Sequence, residues 1–165
     1  MLWTGSSGAD VIQRLPATLG LQALLATLTG YPVGLRTAPV DDAGQQISPP
    51  YTLLYPLDRT DATQSLADNS KVHILDYQAT FVSGPVPGDP NSRGGDEQAQ
   101  WLADRGWKVV ERPADEAPGY TNALNVGTGQ VCTYREAREA GGTSDENDAI
   151  ITAVIRYRLH LEATA

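Results

Sequence analysis

Few residues in this chain combine a reactive side chain with the spacing that chemistry needs. His73 and His160 are the only histidines. Each falls in the middle of an alternating, strand-like stretch, and no Cys, His or acid flanks either at metal-ligand spacing. Both read as histidines on a sheet surface or at a core margin. Cys132 is the only cysteine, so no internal disulfide is possible. It reads as a buried thiol or one kept in a reducing compartment; a nucleophilic role would need an activating neighbour. Ser6 lies in Gly5-Ser6-Ser7-Gly8, not in the Gly-x-Ser-x-Gly spacing of a nucleophile elbow. Gly127-Thr128-Gly129 lacks the third glycine of a dinucleotide fingerprint, and no Gly-Lys-Ser/Thr phosphate loop occurs. Asp145, Glu146 and Asp148 miss the ligand order and closing Glu of a calcium loop, so a solvated turn is the simpler reading. A catalytic site needs convergent polar groups. The sequence offers no base–nucleophile pair, so the expectation is a protein that is not an enzyme and takes no cofactor and no metal.

Two features stand out instead as contact surfaces. Arg156 and Arg158 share a parity in an alternating stretch and project from the same strand face. They pair with acids of a partner subunit, pair with this chain's own acids, or stand in solvent. Trp101 falls within a helical stretch but points into its charged arc, with Asp104, Arg105 and Lys108 nearby. Interfaces are enriched in Trp; alternatively, a loop of the same chain, 84–95 or 113–122, covers it. These six residues (Trp101, Asp104, Arg105, Lys108, Arg156 and Arg158) are the candidate subunit interface.

The elements that must carry them follow from periodicity. The chain is organised around residues 71–112: a strand, a Gly/Pro-rich loop and a helix. In the strand, His73, Leu75, Tyr77, Ala79 and Phe81 share one face; Val72, Ile74, Asp76, Gln78, Thr80 and Val82 share the other, a face only partly in water. The helix, expected over 96–112, gathers Ala99, Leu102, Ala103, Gly106, Val109 and Val110 in one apolar arc. Gly106 in its interior costs about 1 kcal/mol against Ala, which a close helix–sheet contact would explain. A first helix is expected over 10–29, with a possible break near Pro16. Leu21, Leu24, Leu25 and Leu28 form its stripe, and Gly30 is placed to end it.

Residues 33–40 suggest a short strand. Residues 51–57 suggest another, with Tyr51, Leu53, Tyr55 and Leu57 on one face and Pro56 marking an edge or an end. Residues 58–70 read as a polar turn region, 113–122 as a loop, 130–138 as a strand and 139–149 as an acidic turn. Residues 150–162 alternate most cleanly, with Ile151, Ala153, Ile155, Tyr157, Leu159 and Leu161 on one face. Such alternation marks an antiparallel sheet with one face on the core. The expected fold class is therefore α+β: a mixed, mainly antiparallel sheet with two main helices packed on one face.

Length and charge set the outer bounds. A chain of 165 residues suits a single domain, with 1–9 as a flexible arm and 84–95 and 139–149 as extended loops. Leu2 and Trp3 sit on that arm, which is either disordered or docks on a neighbouring chain. Twelve basic against twenty acidic residues give a formal net charge of −8, which argues against holding nucleic acid by phosphate neutralisation. The start has no basic region followed by an apolar run, and the leucine-rich stretch 15–28 is too short and polar to span a bilayer. No membrane partner is expected, and the protein should be soluble, inside a cell or in a particle assembled there.

The order of motifs carries a family resemblance. Pro50-Tyr51 opens a strand that ends Tyr55-Pro56. A later strand holds Tyr77-Gln78-Ala79-Thr80, and after a Gly-containing loop comes Glu97-Gln98-Ala99-Gln100-Trp101-Leu102-Ala103-Asp104-Arg105, with a closing Tyr157-Arg158-Leu159-His160-Leu161-Glu162. Over roughly 15–112 and 150–162 this resembles the tail terminator proteins of long-tailed, siphovirus-type phages of actinobacteria. The arm 1–14 and residues 113–149 have no clear counterpart, and 84–95 is longer than the usual link. The resemblance implies a tail-terminator-like fold assembled as a hexameric ring. The ring caps the tail tube, ends its polymerisation and presents the docking surface for the head–tail connector. Its implied partners are copies of itself, the tail tube protein and the connector protein, with DNA passing through without specific binding. The implied location is the neck region of the virion tail, after assembly in the host cytoplasm. A neck or head–tail completion protein is the alternative within virion assembly; a small hydrolase or transferase is the alternative from another class.

Overall fold

The computed structural model describes residues 12–63, 71–84, 95–145 and 150–164. The elements run α1 (Arg14–Thr29), β1 (Val33–Leu35), β2 (Tyr51–Thr63), β3 (Lys71–Val82), α2 (Asp96–Trp107), β4 (Gln130–Glu139), β5 (Ser144–Asp145) and β6 (Ile150–Ala163), with a 3-10 turn at Lys108–Val110 continuing α2. The strands lie in the order β1-β2-β3-β6-β4, with β5 pairing β6 off this path. Among the described residues only β1–β2 is parallel; β2–β3, β3–β6, β4–β6 and β5–β6 are antiparallel. The fold is thus α+β with a mixed, mainly antiparallel sheet and two helices, as the periodicity led us to expect.

Both helices lie on the face built by the apolar parity of β3 and β6. Leu75, Tyr77, Ala79, Phe81, Ile155, Tyr157, Leu159 and Leu161 are all buried there, with Leu21 and Leu25 of α1 and Leu102 of α2. α1 is anchored at Tyr77, whose hydroxyl lies 2.9 Å from Thr18 Oγ1. α2 is anchored at Tyr157, whose hydroxyl donates to the Gly106 carbonyl at 2.7 Å. A Cβ on Gly106 would stand 2.4 Å from Phe81 Cζ, so only glycine allows the helix this close. The expected close helix–sheet contact is present.

Several boundaries differ from expectation. α1 begins at Arg14 rather than at residue 10 and is not broken by Pro16. Pro16 falls in the first turn, where backbone N–H groups have no intrahelical acceptor in any case. Gly30 ends α1 at φ 75° as expected. α2 is regular only to Trp107; Glu111 and Arg112 have left the helix. Of residues 33–40 only Val33–Leu35 is a strand.

The largest correction is β2, which continues through residues 58–63 where a turn was expected. Asp58 to Asp61 are polar because both faces of this part of β2, paired with His73, Ile74 and Leu75, are exposed. A register shift between Pro56 and Arg59 reverses the parity of β2 at that point. Pro56 lies beyond the residues of β2 that β1 covers, so the edge position its missing N–H requires is observed. Residues 1–9, expected as an arm, residues 64–70, most of the expected loop 84–95 and residues 146–149 lie outside the described residues. Among the described residues no helix is long and apolar enough to cross a membrane.

Candidate subunit interface

The six residues singled out in the sequence fall on two separate surfaces. Trp101, Asp104, Arg105 and Lys108 are carried by the outer side of α2 and the turn that follows it. Arg156 and Arg158 lie on the open face of the sheet, away from both helices, because strand side chains alternate and Ile155, Tyr157 and Leu159 take the core side.

On α2, Trp101 is 46% exposed. Its aromatic neighbour is Tyr31, just past α1, in an edge-to-face contact with ring centroids 6.5 Å apart. The Arg105 guanidinium lies 5.6 Å from the Trp101 ring centre. Residues 113–122 are tied down elsewhere, and 84–95 lies mostly outside the described residues. Arg105 also has an internal duty: its Nε donates to the Leu28 carbonyl at 2.9 Å. That carbonyl belongs to the last turn of α1, where unpaired carbonyls favour a cation. Arg105 therefore joins the two helices and carries one edge of the Trp101 ring. Asp104 is exposed, whereas the Lys108 side chain is half-buried.

On the open face, Arg158 pairs with this chain's own Asp76 from the neighbouring strand. Nε and Nη2 reach the two carboxylate oxygens at 2.8 and 3.1 Å. Cross-strand register explains the match, since Asp76 stands directly opposite Arg158. Glu136 stands opposite Arg158 on the other side. The Asp76 carboxylate holds the Arg158 guanidinium even further in its charged form, and Glu136 adds to this. Arg156 differs. Its opposite residues are Gln78 on β3 and Arg138 on β4. Asp58, Asp76, Glu136, Arg138, Arg156 and Arg158 line one shallow depression of about 250 Å³. Arg138 was not singled out from the sequence: the bulge between Cys132 and Tyr134 reverses its parity, and neither that bulge nor its partner strand was readable there.

The chemistry-bearing residues dismissed in the sequence also need placing. His73 is buried on the helix side of β3, 6% exposed. Its Nδ1 lies 2.5 Å from Asp61 Oδ1, the residue opposite on β2, and Arg59 Nη2 lies 3.2 Å from the same nitrogen. Arg59 in turn donates to the Ile12 carbonyl at 3.2 Å, so the cluster fastens the segment before α1 to the sheet. The hydrogen bond from His73 holds the Asp61 carboxyl below its usual range, against a smaller opposing effect of burial. The sequence missed this acid because 58–63 read as turn.

Cys132 lies on the same side and in the same cross-strand row as His73. However, Leu161 stands between them, opposite both. Two strand spacings separate the pair by roughly 9–10 Å, far beyond proton-transfer reach. Burial pushes the Cys132 thiol up, outweighing the opposite pull of Arg135. The arrangement therefore brings together His73 and an acid but not a nucleophile. His160 meets only the Tyr134 ring, edge-on at 5.0 Å, among the described aromatic contacts. Among the described residues no group of three or more His, Cys, Asp or Glu is placed to hold a metal ion.

Arg135 is the buried charge that sequence reasoning overlooked. A bulge between Cys132 and Tyr134 turns it inward, where strict alternation from Cys132 would have placed it outside. Its Nη1 donates to the carbonyls of Val109 at 2.9 Å and Asn122 at 2.7 Å. Burial lowers its affinity for the proton. Tyr120 lies between two guanidinium groups, with Arg112 at 4.2 Å and Arg135 at 4.4 Å from its ring centre. Arg135 thereby fixes residues 111–122 against β4.

Comparison of the chain with family models finds no match, and comparison with curated proteins finds none either.

Proposed function

We propose that this chain is a phage tail terminator: a structural subunit that assembles into a hexameric ring, caps the tail tube, stops its polymerisation and offers the docking surface for the head–tail connector. Its location would be the neck region of the virion tail, and it would carry out no catalysis. The support is of two kinds. One is the order of motifs that resembles this family. The other, which carries the physical side of the proposal, is a pair of chemically different surfaces on opposite sides of one sheet. The Trp101 surface lies on the helix side, and the arginine surface lies on the open side. A closed ring requires such a pair, because each heterologous junction joins two different patches. A net charge of −8 agrees with a channel that DNA must cross without sticking.

The test is to image labelled protein on tails made in the absence of heads. A terminator is expected at one end of every finished tail. Its absence from headless tails, with presence on complete particles, would point instead to a neck or completion protein and refute the proposal.

A further inference from the structure

Arg138 and Arg156 stand directly opposite each other on the open face. Like charges in this position are unfavourable. Asp76 of the same patch is taken by Arg158. Among the described residues no carboxylate lies within ion-pair distance of Arg138 or Arg156. Two exposed guanidinium groups thus lie side by side; Asp58 and Glu136 line the same depression but, among the described residues, form no ion pair with them.

The opposite charge is found on the other side of the same sheet edge. Glu139 follows Arg138 on β4 and points the other way. It lines a groove of about 510 Å³ with Asp96 and Asp104 of α2 and the backbone at Gly141 and Gly142. All three carboxylate residues are exposed. The β4 end of the molecule therefore carries a cationic pair on one face and an anionic groove on the other. Copies stacked face to back would bring the two together, and the same contact could repeat from one copy to the next.

We propose that Arg138 and Arg156 of one copy dock into the Asp96–Asp104–Glu139 groove of a second copy, forming the repeating head-to-tail junction. This rests on the ring reading above and names the contact through which the ring would be built. Trp101 stands outside the lining of this groove, against Tyr31 on the α1 side of the same helix. Arg158, held by Asp76, has no part in bridging the copies.

The test uses the full chain and mass photometry at low and high salt, with circular dichroism to confirm folding. Arg138→Gln with Arg156→Gln is expected to weaken self-association by about tenfold or more, and added salt should weaken the wild type in the same direction. The melting temperature should hold or rise, since an unfavourable pair has been removed. A charge exchange gives the sharper result. Arg138→Glu/Arg156→Glu and Asp104→Lys/Glu139→Lys should each fail to assemble alone, whereas an equal mixture should assemble by alternation, which a ring of six permits. A mixture that stays monomeric, variants that assemble like wild type, or a wild type that remains monomeric at all concentrations overturns the junction. Headless tails separate this result from the proposed function. A ring on the tails that ignores the charge variants refutes only the junction, and an assembly that uses it yet never appears on tails refutes only the terminator role.

Discussion

Replacing Gly106 by alanine sets two effects against each other, and the geometry decides which prevails. In an exposed helix the change would stabilise by about 1 kcal/mol, because glycine has more backbone freedom to lose. Here the new methyl would lie 2.4 Å from Phe81 Cζ and 2.9 Å from the Tyr157 hydroxyl, with Phe81 Cε2 at 3.1 Å. Phe81 and Tyr157 are 0% and 1% exposed, so neither ring has space to withdraw into. Overpacking a tight core costs about 1–3 kcal/mol. Displacing α2 would also stretch the 2.7 Å bond from the Tyr157 hydroxyl to the Gly106 carbonyl, and an unsatisfied buried hydroxyl costs about 1–3 kcal/mol. After subtracting the helix gain, Gly106→Ala should destabilise by about 3 kcal/mol. For a chain of this length that corresponds to a fall in Tm of roughly 6–12 °C. Urea unfolding followed by circular dichroism should show a lower midpoint at an unchanged slope. Adding Phe81→Leu, which removes the nearest ring atoms, should recover part of the loss. If Gly106→Ala proves as stable as wild type or more so, the close helix–sheet approach is wrong, and so is the placement of Trp101 on the outer side of α2.

Four further outcomes are expected. Trp101→Ala should weaken assembly by about 2 kcal/mol, in the range of interface anchors, while lowering folding stability by less than about 1 kcal/mol because the ring is half in solvent. Unchanged assembly with a lowered Tm, seen by light scattering and calorimetry, would oppose an interface role. Asp61 has a folded pKa below its unfolded value, so its contribution is present above about pH 4 and is lost as pH falls through the folded pKa. The Tm gap between wild type and Asp61→Asn should therefore be open at pH 6 and close toward pH 2. A gap independent of pH would remove the His73–Asp61 link. Arg135→Ala leaves the Val109 and Asn122 carbonyls without their donor and should cost about 2 kcal/mol or more, with faster hydrogen exchange across 111–122. Cys132, with its thiol pushed up by burial, should react with a disulfide reagent more slowly than free cysteine at pH 8; fast labelling of the folded chain would contradict its placement.

How much of this was legible beforehand depended on whether a feature was local. The core parity of 71–82 and 150–163 was readable because every second residue is apolar over many repeats, and both faces emerged as expected. The stop at Gly30 and the close contact at Gly106 were likewise local signals, each tied to what glycine alone permits. The interface candidates were readable as exceptions to these patterns, a Trp on a polar arc and two arginines of one parity. Their partners were not. Arg105 reaches α1, Arg158 reaches Asp76, and Tyr31 meets Trp101, and each pairing depends on how the elements dock.

The sequence by itself determined which residues of the two helices, of 71–82 and of 150–162 face the core, that the class is α+β, and that no reactive group comes with an activating neighbour along the chain. These follow from the periods of helix and strand and from short-range spacing. Only the tertiary structure decided register. Two bulges, at Leu57–Asp58 and near Thr133, each add one residue and reverse parity beyond them. That brings Asp61 to His73, turns Arg135 inward and leaves Arg138 facing Arg156. A bulge has no clear period of its own. It is set by how two strands from distant parts of the chain match length and twist, and a linear reading contains no term for that.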